Sequence, residues 1–305
     1  AKSAVFSRGL NFYILNHSDI NVPNIYTLHN FAGKKIRVLE DNAAYKEIYA
    51  GRMPKKEFFT FNSDGYELNG YMIKPNDFNP SRKYPVIMYH YSGPDSQLVL
   101  NRWEVDWLHY VAQSGYIVAC VDGRGTGGRG KAFASTVYKN LGKYESIDQI
   151  AAANYMASLE YVDADNIGIF GWSYGGYETL MAMSQNNSPY AAGVAVAPVT
   201  DWRLYDSVYT ERFMLTPQQN SLGYDAASAI NRVDKLKGEL LIITGTADDN
   251  VHPANTYEYV AKATDAGQLL DMMIYTNENH FIRNCGARYP LYKKILKFFD
   301  SHLKK

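Results

Sequence analysis

Short apolar runs alternate with longer amphipathic stretches along most of the chain, from Lys56 to the C-terminus. The runs have the length and composition of buried strands, and they are Val86–Tyr89, Tyr116–Val121, Ile167–Phe170, Gly193–Ala197, Leu240–Thr244 and Leu270–Tyr275. Helical patterns lie between most of them, at Val105–Gln113, Ile147–Leu159, Tyr174–Met183, Asn255–Ala266 and Leu291–Leu303. This alternation predicts an α/β fold in which helices cover a mainly parallel sheet.

The N-terminal part has a different pattern, of short strands separated by turn-like segments. Strands are predicted at Leu10–Leu15, Asn24–His29 and Lys35–Leu39, with a turn-like segment over 16–23. Three such strands cannot bury a core of their own. We therefore divide the chain into residues 1–50, a β-strand remnant of a larger domain with its linker, and residues 51–305, the α/β unit. The chain begins in mid-structure without a signal-peptide pattern, so it is expected to be a piece of a longer protein.

Composition excludes several classes of function. The 305 residues are 46% apolar and 20% charged, which indicates a globular chain, and the formal net charge is zero. Nucleic acid and acidic membrane surfaces require a basic field, so neither is expected as a partner. No apolar run is long enough to span a bilayer. Two cysteines are too few for a disulfide framework, and Cys120 lies in an apolar run that predicts an inert buried thiol.

The sequence Gly171-Trp172-Ser173-Tyr174-Gly175 matches the G-x-S-x-G nucleophile elbow. A predicted strand precedes it and a predicted helix follows, which is the context that the motif requires. A sharp turn at this point exposes the serine oxygen beside a backbone N–H group and a helix N-terminus. The pattern therefore predicts that Ser173 is a catalytic nucleophile.

A serine nucleophile needs a base and a carboxylate that orients the base, and α/β-hydrolases carry them in the order serine, acid, histidine. Asp248 and Asp249 follow one predicted strand, and His280 follows the next. His252 shares the loop of the acid and His302 lies in the terminal helix, so His280 is the predicted base. Pattern alone does not separate Asp248 from Asp249, and the other of the two would fix the loop.

The oxyanion hole needs two hydrogen-bond donors aimed at the developing negative charge. The backbone N–H of Tyr174 is the natural first donor. The loop 89–94 follows an early central strand and is expected to supply the second, as a backbone N–H or a tyrosine hydroxyl.

No motif in the chain predicts a cofactor. Residues 125–130 match the dinucleotide-binding pattern G-x-G-x-x-G, but 131–141 show no clean helical face, so a flexible loop is the plainer interpretation. Cysteine pairs, carboxylate clusters and H-E-x-x-H motifs, which would indicate a metal, are missing from the sequence.

Several stretches from about Lys56 to the end resemble the catalytic domain of the prolyl oligopeptidase family, and within it the dipeptidyl peptidase IV branch. They are 91–94 (YSGP), 122–125 (DGRG), 171–177 (GWSYGGY), 197–199 (APV), 205–212 (YDSVYTER) and 245–252 (GTADDNVH), together with Trp202. The segment from Ala197 to Arg212 is the most branch-specific. The resemblance implies an α/β-hydrolase fold, preceded here by a short remnant of an N-terminal β-propeller.

The resemblance also implies catalytic roles. Ser173 would be the nucleophile, Asp248 the triad acid and His280 the base. The hydroxyl of Tyr91 and the backbone N–H of Tyr174 would form the oxyanion hole.

A pocket for proline, the residue before the cut, is implied as well, with Asn250 binding a substrate carbonyl. Its walls would be Tyr174, Val199, Trp202, Tyr205, Tyr209 and Val251. Proline is compact and apolar and has no N–H, so an aromatic box can hold its ring. The i, i+3, i+7 spacing of Trp202, Tyr205 and Tyr209 equally suits a single helix whose aromatic residues pack into the core.

Taken together, the resemblance implies a serine peptidase that cuts peptide substrates after proline through an acyl-enzyme, without a cofactor. Full-length family members release Xaa-Pro dipeptides, and the anchor for the substrate amine lies in their propeller, of which only the opening strands are expected here. An esterase or another peptidase of the same fold, or a non-catalytic binding module, stays the alternative. The resemblance also suggests a homodimer and a periplasmic or secreted location.

Overall fold

The computed structural model of the chain describes residues 2–49 and 51–304. Its strands form two sheets. The first is antiparallel and contains β1 (Lys2–Phe6), β2 (Phe12–Asp19), β3 (Val22–Asn30) and β4 (Lys35–Glu40). The second contains β5 (Lys56–Ser63), β6 (Tyr66–Ile73), β7 (Tyr84–His90), β8 (Ile117–Asp122), β9 (Val162–Trp172), β10 (Ala192–Val196), β11 (Glu239–Gly245) and β12 (Asp271–Tyr275).

Helices connect most strands of the second sheet. In chain order they are α1 (Ala43–Tyr49), α2 (Trp107–Gln113), α3 (Lys131–Ala134), α4 (Lys143–Ala157), α5 (Tyr174–Met183), α6 (Ser207–Met214), α7 (Ser221–Ala226), α8 (Ala254–Asp265) and α9 (Arg288–Leu303). Among residues 2–49 and 51–304, none of these helices has the length and apolar composition that crossing a membrane requires.

The order of strands in the second sheet is β12-β11-β10-β9-β7-β8-β6-β5. Strands β7 to β12 pair in parallel, and β5 and β6 add an antiparallel edge. Because β7 lies between β8 and β9, the chain crosses from one side of β7 to the other after β8. Ligand sites of open α/β sheets lie at the carboxyl ends of the strands near such a crossing point.

Successive residues of the central strands point to opposite faces of the sheet, and both faces are buried. On β9, Ile167 and Ile169 pack in a core with Leu180 of α5, whereas Phe170 packs on the other face with Ile295 of α9. Strands covered on both faces read as continuous apolar runs, which is why the sequence pattern was readable. The predicted fold class, a mainly parallel sheet between helices, is confirmed.

The prediction for the N-terminal sheet was wrong in two details. Its residues form four strands instead of three, since β1 was missed. Most of segment 16–23, predicted as turn-like, belongs to β2 and β3, and only Ile20 and Asn21 separate the two strands. The end of β2 is stabilised by its pairing with β3, as in the pair of His17 with Ile25. Because its residues are polar, the local sequence pattern does not predict a strand there. The division at residue 50 stays a prediction.

Candidate active site

Ser173 lies on a sharp turn between strand β9 and helix α5. Its backbone has φ 60° and ψ −116°, a conformation that residues with a side chain rarely adopt. Two backbone hydrogen bonds hold the turn, from the Ser173 N–H to the oxygen of Val196 at 2.8 Å and from the Tyr177 N–H to the oxygen of Ser173 at 2.9 Å. The strained residue is therefore fixed by both the neighbouring strand and the first turn of the helix.

The glycines of the motif are required by close backbone contacts. A Cβ atom on Gly175 would lie 2.6 Å from the carbonyl oxygen of His90, at the end of β7. A Cβ atom on Gly171 would overlap the backbone of Gly175 itself. Any larger residue at either position would push α5 away from the sheet and move Ser173 with it.

Asp248 and His280 come from the loops that follow the neighbouring parallel strands β11 and β12. The Nδ1 atom of His280 lies 2.9 Å from Oδ2 of Asp248, and the residues are only 4% and 5% exposed. The other oxygen of Asp248 accepts hydrogen bonds from the backbone N–H groups of Asn250 and Val251, at 3.0 and 2.9 Å. An ionised carboxylate only accepts hydrogen bonds, so Nδ1 carries the proton and Nε2 is free to accept one.

The geometry separates the two aspartates that the sequence left open. Asp249 is exposed, whereas Asp248 is buried and oriented by its three hydrogen bonds. A further hydrogen bond, 3.0 Å from the N–H of Ala247 to the oxygen of Glu278, joins the loop of the aspartate to the loop of the histidine. The arrangement is that of a carboxylate that orients an imidazole.

Tyr91 follows strand β7, whose end is paired with the elbow strand through His90 and Gly171. Burial raises the pKa of Tyr91, and a hydrogen bond between its hydroxyl and Ser173 opposes this rise. The tyrosine therefore keeps its proton near neutral pH and can donate it as a hydrogen bond. This places the Tyr91 hydroxyl next to the predicted nucleophile, as an oxyanion-hole donor would have to be.

His90 is fully buried between two hydroxyl groups, the Ser92 Oγ and the Thr179 Oγ1, each 3.1 Å from a ring nitrogen. Burial lowers the pKa of His90 to about 3, so the ring is neutral at physiological pH. Its role is to join the end of β7 to α5.

Aromatic rings cluster beside Ser173, with Trp202 at the centre. Its ring centroid lies 5.4 Å from that of Tyr174 and 5.9 Å from those of Tyr205 and Tyr209. Trp202 and Tyr174 are buried, as are the predicted wall residues Val199 and Val251, whereas Tyr205 and Tyr209 are partly exposed. The cluster thus has a buried floor and a rim that solvent reaches.

The interpretation of three of these aromatics as one helical face is wrong. Trp202 lies in a 3₁₀ turn (Trp202–Leu204), Tyr205 is extended, and Tyr209 lies in α6. The helix begins only after Asp206, whose side chain accepts a 2.8 Å hydrogen bond from the Tyr209 N–H and caps it. The Tyr205 hydroxyl donates a 2.9 Å hydrogen bond to Asn250 Oδ1, which links the cluster to the loop of Asp248.

Comparisons with known proteins show which family the chain belongs to. The profile described as "Prolyl oligopeptidase family" matches residues 102–305. The chain belongs to the prolyl oligopeptidase family. Among curated relatives, a protein named "Probable dipeptidyl-aminopeptidase B" from Phaeosphaeria nodorum is 41% identical over 298 residues, which cover 95% of this chain and 33% of that protein. The protein of the same name from Emericella nidulans is 41% identical over 301 residues, covering 96% of this chain and 33% of the relative.

Solved structures show the same relationship. The crystal structure of Porphyromonas gingivalis dipeptidyl peptidase 4 is 48% identical and superposes with a TM-score of 0.95. A putative dipeptidyl aminopeptidase IV from Bacteroides ovatus is 34% identical, with a TM-score of 0.94. Each match covers 99% of this chain and 43% of the other. Of the curated relatives, which are longer, the chain spans about a third of the length.

Sequence reasoning missed three residues that hold this prolyl oligopeptidase-family site together. Trp172 donates a hydrogen bond to the backbone oxygen of His280. Asn255 accepts one from the N–H of Thr200 at 2.9 Å and so fixes the segment that leads to the aromatic cluster. Glu145 accepts one from the hydroxyl of Tyr174. No local signal identifies them, because each is defined by a contact distant in sequence.

Two further observations concern ligands and thiols. In the described part of the chain, no three His, Cys, Asp or Glu side chains are grouped so that they could hold a metal ion. Cys120 is fully buried, as predicted, and burial raises the pKa of its thiol well above the ordinary value, which disfavours the reactive thiolate.

Proposed function

We propose that this chain is the catalytic domain of a serine peptidase that cleaves peptide substrates after proline, and that the longer protein releases Xaa-Pro dipeptides from N-termini. The 2.9 Å contact between His280 Nδ1 and Asp248 Oδ2, in loops beside the Ser173 elbow, carries the proposal. A carboxylate that orients an imidazole, together with a strained and partly exposed serine, is the arrangement that activates a hydroxyl nucleophile.

In the proposed reaction, His280 removes the proton of Ser173 as the serine oxygen attacks the substrate carbonyl. The Tyr91 hydroxyl and the Tyr174 N–H donate hydrogen bonds to the oxyanion that forms. His280 then protonates the leaving amine, and an acyl-enzyme remains on Ser173. Water activated by the same imidazole hydrolyses the ester and regenerates the serine.

The aromatic cluster would select proline. Tyr174, Trp202, Tyr205 and Tyr209, with Val199 and Val251, would surround the pyrrolidine ring. Faces of aromatic rings offer it apolar contact without a hydrogen-bond partner, and proline lacks the N–H that would need one. Asn250, held by the Tyr205 hydroxyl, would bind the preceding carbonyl of the substrate.

Hydrolysis of Gly-Pro and Gly-Ala chromogenic amides tests the proposal. We expect cleavage of the Gly-Pro amide well above that of the Gly-Ala amide, and loss of both activities in Ser173→Ala. Equal cleavage of the two amides would remove the proline pocket. Cleavage restricted to small esters would favour an esterase, and failure of the folded chain to react with a fluorophosphonate probe at Ser173 would favour a binding module.

Dipeptide release is a property of the longer protein in this proposal. It is supported by the names of the relatives, each of which is about three times as long as the matched region. Comparison of this chain with the longer protein on an N-terminally blocked and a free Gly-Pro peptide tests whether the missing length supplies the preference for a free amine. Homodimerisation and export stay predictions of the family resemblance.

A further inference from the structure

A buried carboxylate lies behind the aromatic cluster. Glu145, in the first turn of α4, is 1% exposed. Its Oε1 accepts a 2.7 Å hydrogen bond from the hydroxyl of Tyr174, and its Oε2 has no hydrogen-bond partner among the described residues. Removing a carboxylate from water costs free energy, and a half-satisfied one recovers little of it. A contribution to stability therefore does not account for Glu145, whereas its hydrogen bond with the Tyr174 hydroxyl can.

The hydroxyl contact is the directional constraint on the ring of Tyr174. The ring also packs against other aromatic rings, with centroids at 5.4 Å for Trp202, 5.4 Å for Tyr177 and 6.1 Å for Tyr91. Ring contacts of this kind are weakly directional compared with a 2.7 Å hydrogen bond to a carboxyl oxygen. The backbone of Tyr174, in contrast, is fixed by the first turn of α5.

We propose that Glu145 is a positioning residue for substrate selection, which holds the Tyr174 ring as a fixed wall of the proline pocket. The proposal rests on the proposed function and adds to it a residue outside the pocket. Tyr174 contributes its ring to the pocket and its N–H to the oxyanion hole. Loss of the hydroxyl contact frees the ring and leaves the N–H in place, so selectivity changes while the reactivity of Ser173 does not.

The experiment breaks the contact from both ends and compares kcat/KM for Gly-Pro and Gly-Ala amides. In Glu145→Ala and in Tyr174→Phe we expect the Gly-Pro to Gly-Ala ratio to fall by about tenfold, mainly through a higher KM for the Gly-Pro amide. Glu145→Gln keeps an acceptor oxygen, so its ratio stays within about threefold of the wild type. Fluorophosphonate labelling of Ser173 proceeds at the wild-type rate in Glu145→Ala and in Glu145→Gln, because both leave Tyr174 itself unchanged.

Glu178 on α5 provides a matched control. It is also fully buried and also carries one unpartnered oxygen, but its hydrogen bond comes from Ser146 at 2.7 Å and not from the aromatic cluster. Glu178→Ala removes an equally buried carboxylate and is expected to leave the ratio unchanged. An equal loss of selectivity in Glu178→Ala would show general disturbance of the core and overturn the proposal.

Other outcomes also test the positioning role of Glu145. A wild-type ratio in folded Glu145→Ala or in Tyr174→Phe overturns the positioning role. If Glu145→Ala does not fold, as judged by near-UV circular dichroism, Tyr174→Phe alone decides, because it keeps the ring volume. Absence of discrimination between the amides in the wild-type chain is a different result, since it overturns the proposed function itself.

Discussion

The indole nitrogen of Trp172 donates a 2.9 Å hydrogen bond to the backbone oxygen of His280. Trp172 is the last residue of β9 and directly precedes Ser173, whereas His280 lies in the loop after β12. The bond therefore joins the segment that carries the proposed nucleophile to the segment that carries the proposed base, across the two strands between β9 and β12. In the proposed mechanism, this hydrogen bond helps to set the distance over which the proton passes from Ser173 to His280.

Trp172→Phe removes the donor and keeps an aromatic ring in place. We expect kcat for the Gly-Pro amide to fall by about tenfold or more with little change in KM, because misplacement of a catalytic group affects the reaction and not the pocket. Steady-state kinetics measure this. Trp107→Phe is the control, since Trp107 stacks on Tyr292 at 4.6 Å on the opposite face of the sheet from the aromatic cluster. Equal losses in both variants would contradict a specific role for the Trp172 bond.

Asp248→Asn tests the acid of the proposed triad. An amide cannot hold the imidazole in the tautomer with a proton on Nδ1, so we expect kcat to fall by about 10³–10⁴ with the fold unchanged. Asp249→Asn changes the exposed neighbour by the same atoms and should leave kcat within about twofold. A large loss from Asp249→Asn, or a small one from Asp248→Asn, would reverse the assignment made from the 2.9 Å contact with His280.

Tyr91→Phe removes the hydroxyl that forms a hydrogen bond with Ser173. If this hydroxyl donates to the oxyanion, kcat falls by about 10²–10³, the cost of one oxyanion-hole donor. Tyr89→Phe, two residues earlier and on strand β7, is the control, because Tyr89 stacks on Phe170 at 5.6 Å. Wild-type turnover in Tyr91→Phe would assign the second donor to a backbone N–H group of the same loop.

The strands of the central sheet could be predicted because buried positions carry apolar residues, which are visible in the sequence. Ile167 and Ile169 are apolar since both faces of β9 are covered, and that burial is visible in the sequence itself. The end of β2 was not predictable, because His17 is in a strand only through its pairing with Ile25 on β3. A pattern within a window of a few residues contains no information about such a partner.

The residues of the site also divide into those that the local sequence predicts and those that depend on distant contacts. The position of Ser173 on the turn could be predicted because the turn demands glycine two residues before it and two residues after it, at Gly171 and Gly175. Asp248 and Asp249 could not be separated, since the difference between them is made by His280, 32 residues away from Asp248. Glu145 carried no signal at all, because an acidic residue at the start of a helix is ordinary and only the fold brings Tyr174 onto it.

The carboxyls behind the aromatic cluster predict an unusual dependence of stability on pH. Burial raises the pKa of Glu145 to about 7 and that of Glu178 well above its ordinary value. Between the ordinary carboxyl pKa of about 4.5 and pH 7 the folded chain binds more protons than the unfolded chain, so the free energy of unfolding falls as the pH rises. Glu145→Gln removes one of the two groups and should make this slope shallower. Because the amide has no charge to desolvate, the variant should exceed the wild type in stability at pH 8.

Urea unfolding at a series of pH values from 4.5 to 8 measures the slope for the wild type and the variant. Glu160→Gln, at an exposed position just after α4, is the control and should follow the wild type at every pH. Curves for the wild type and Glu145→Gln that stay parallel across the series would mean that Glu145 binds no extra proton on folding. The carboxylate would then be ionised in the core at neutral pH, and its hydrogen bond from Tyr174 would have to offset more of the cost of burial than we infer.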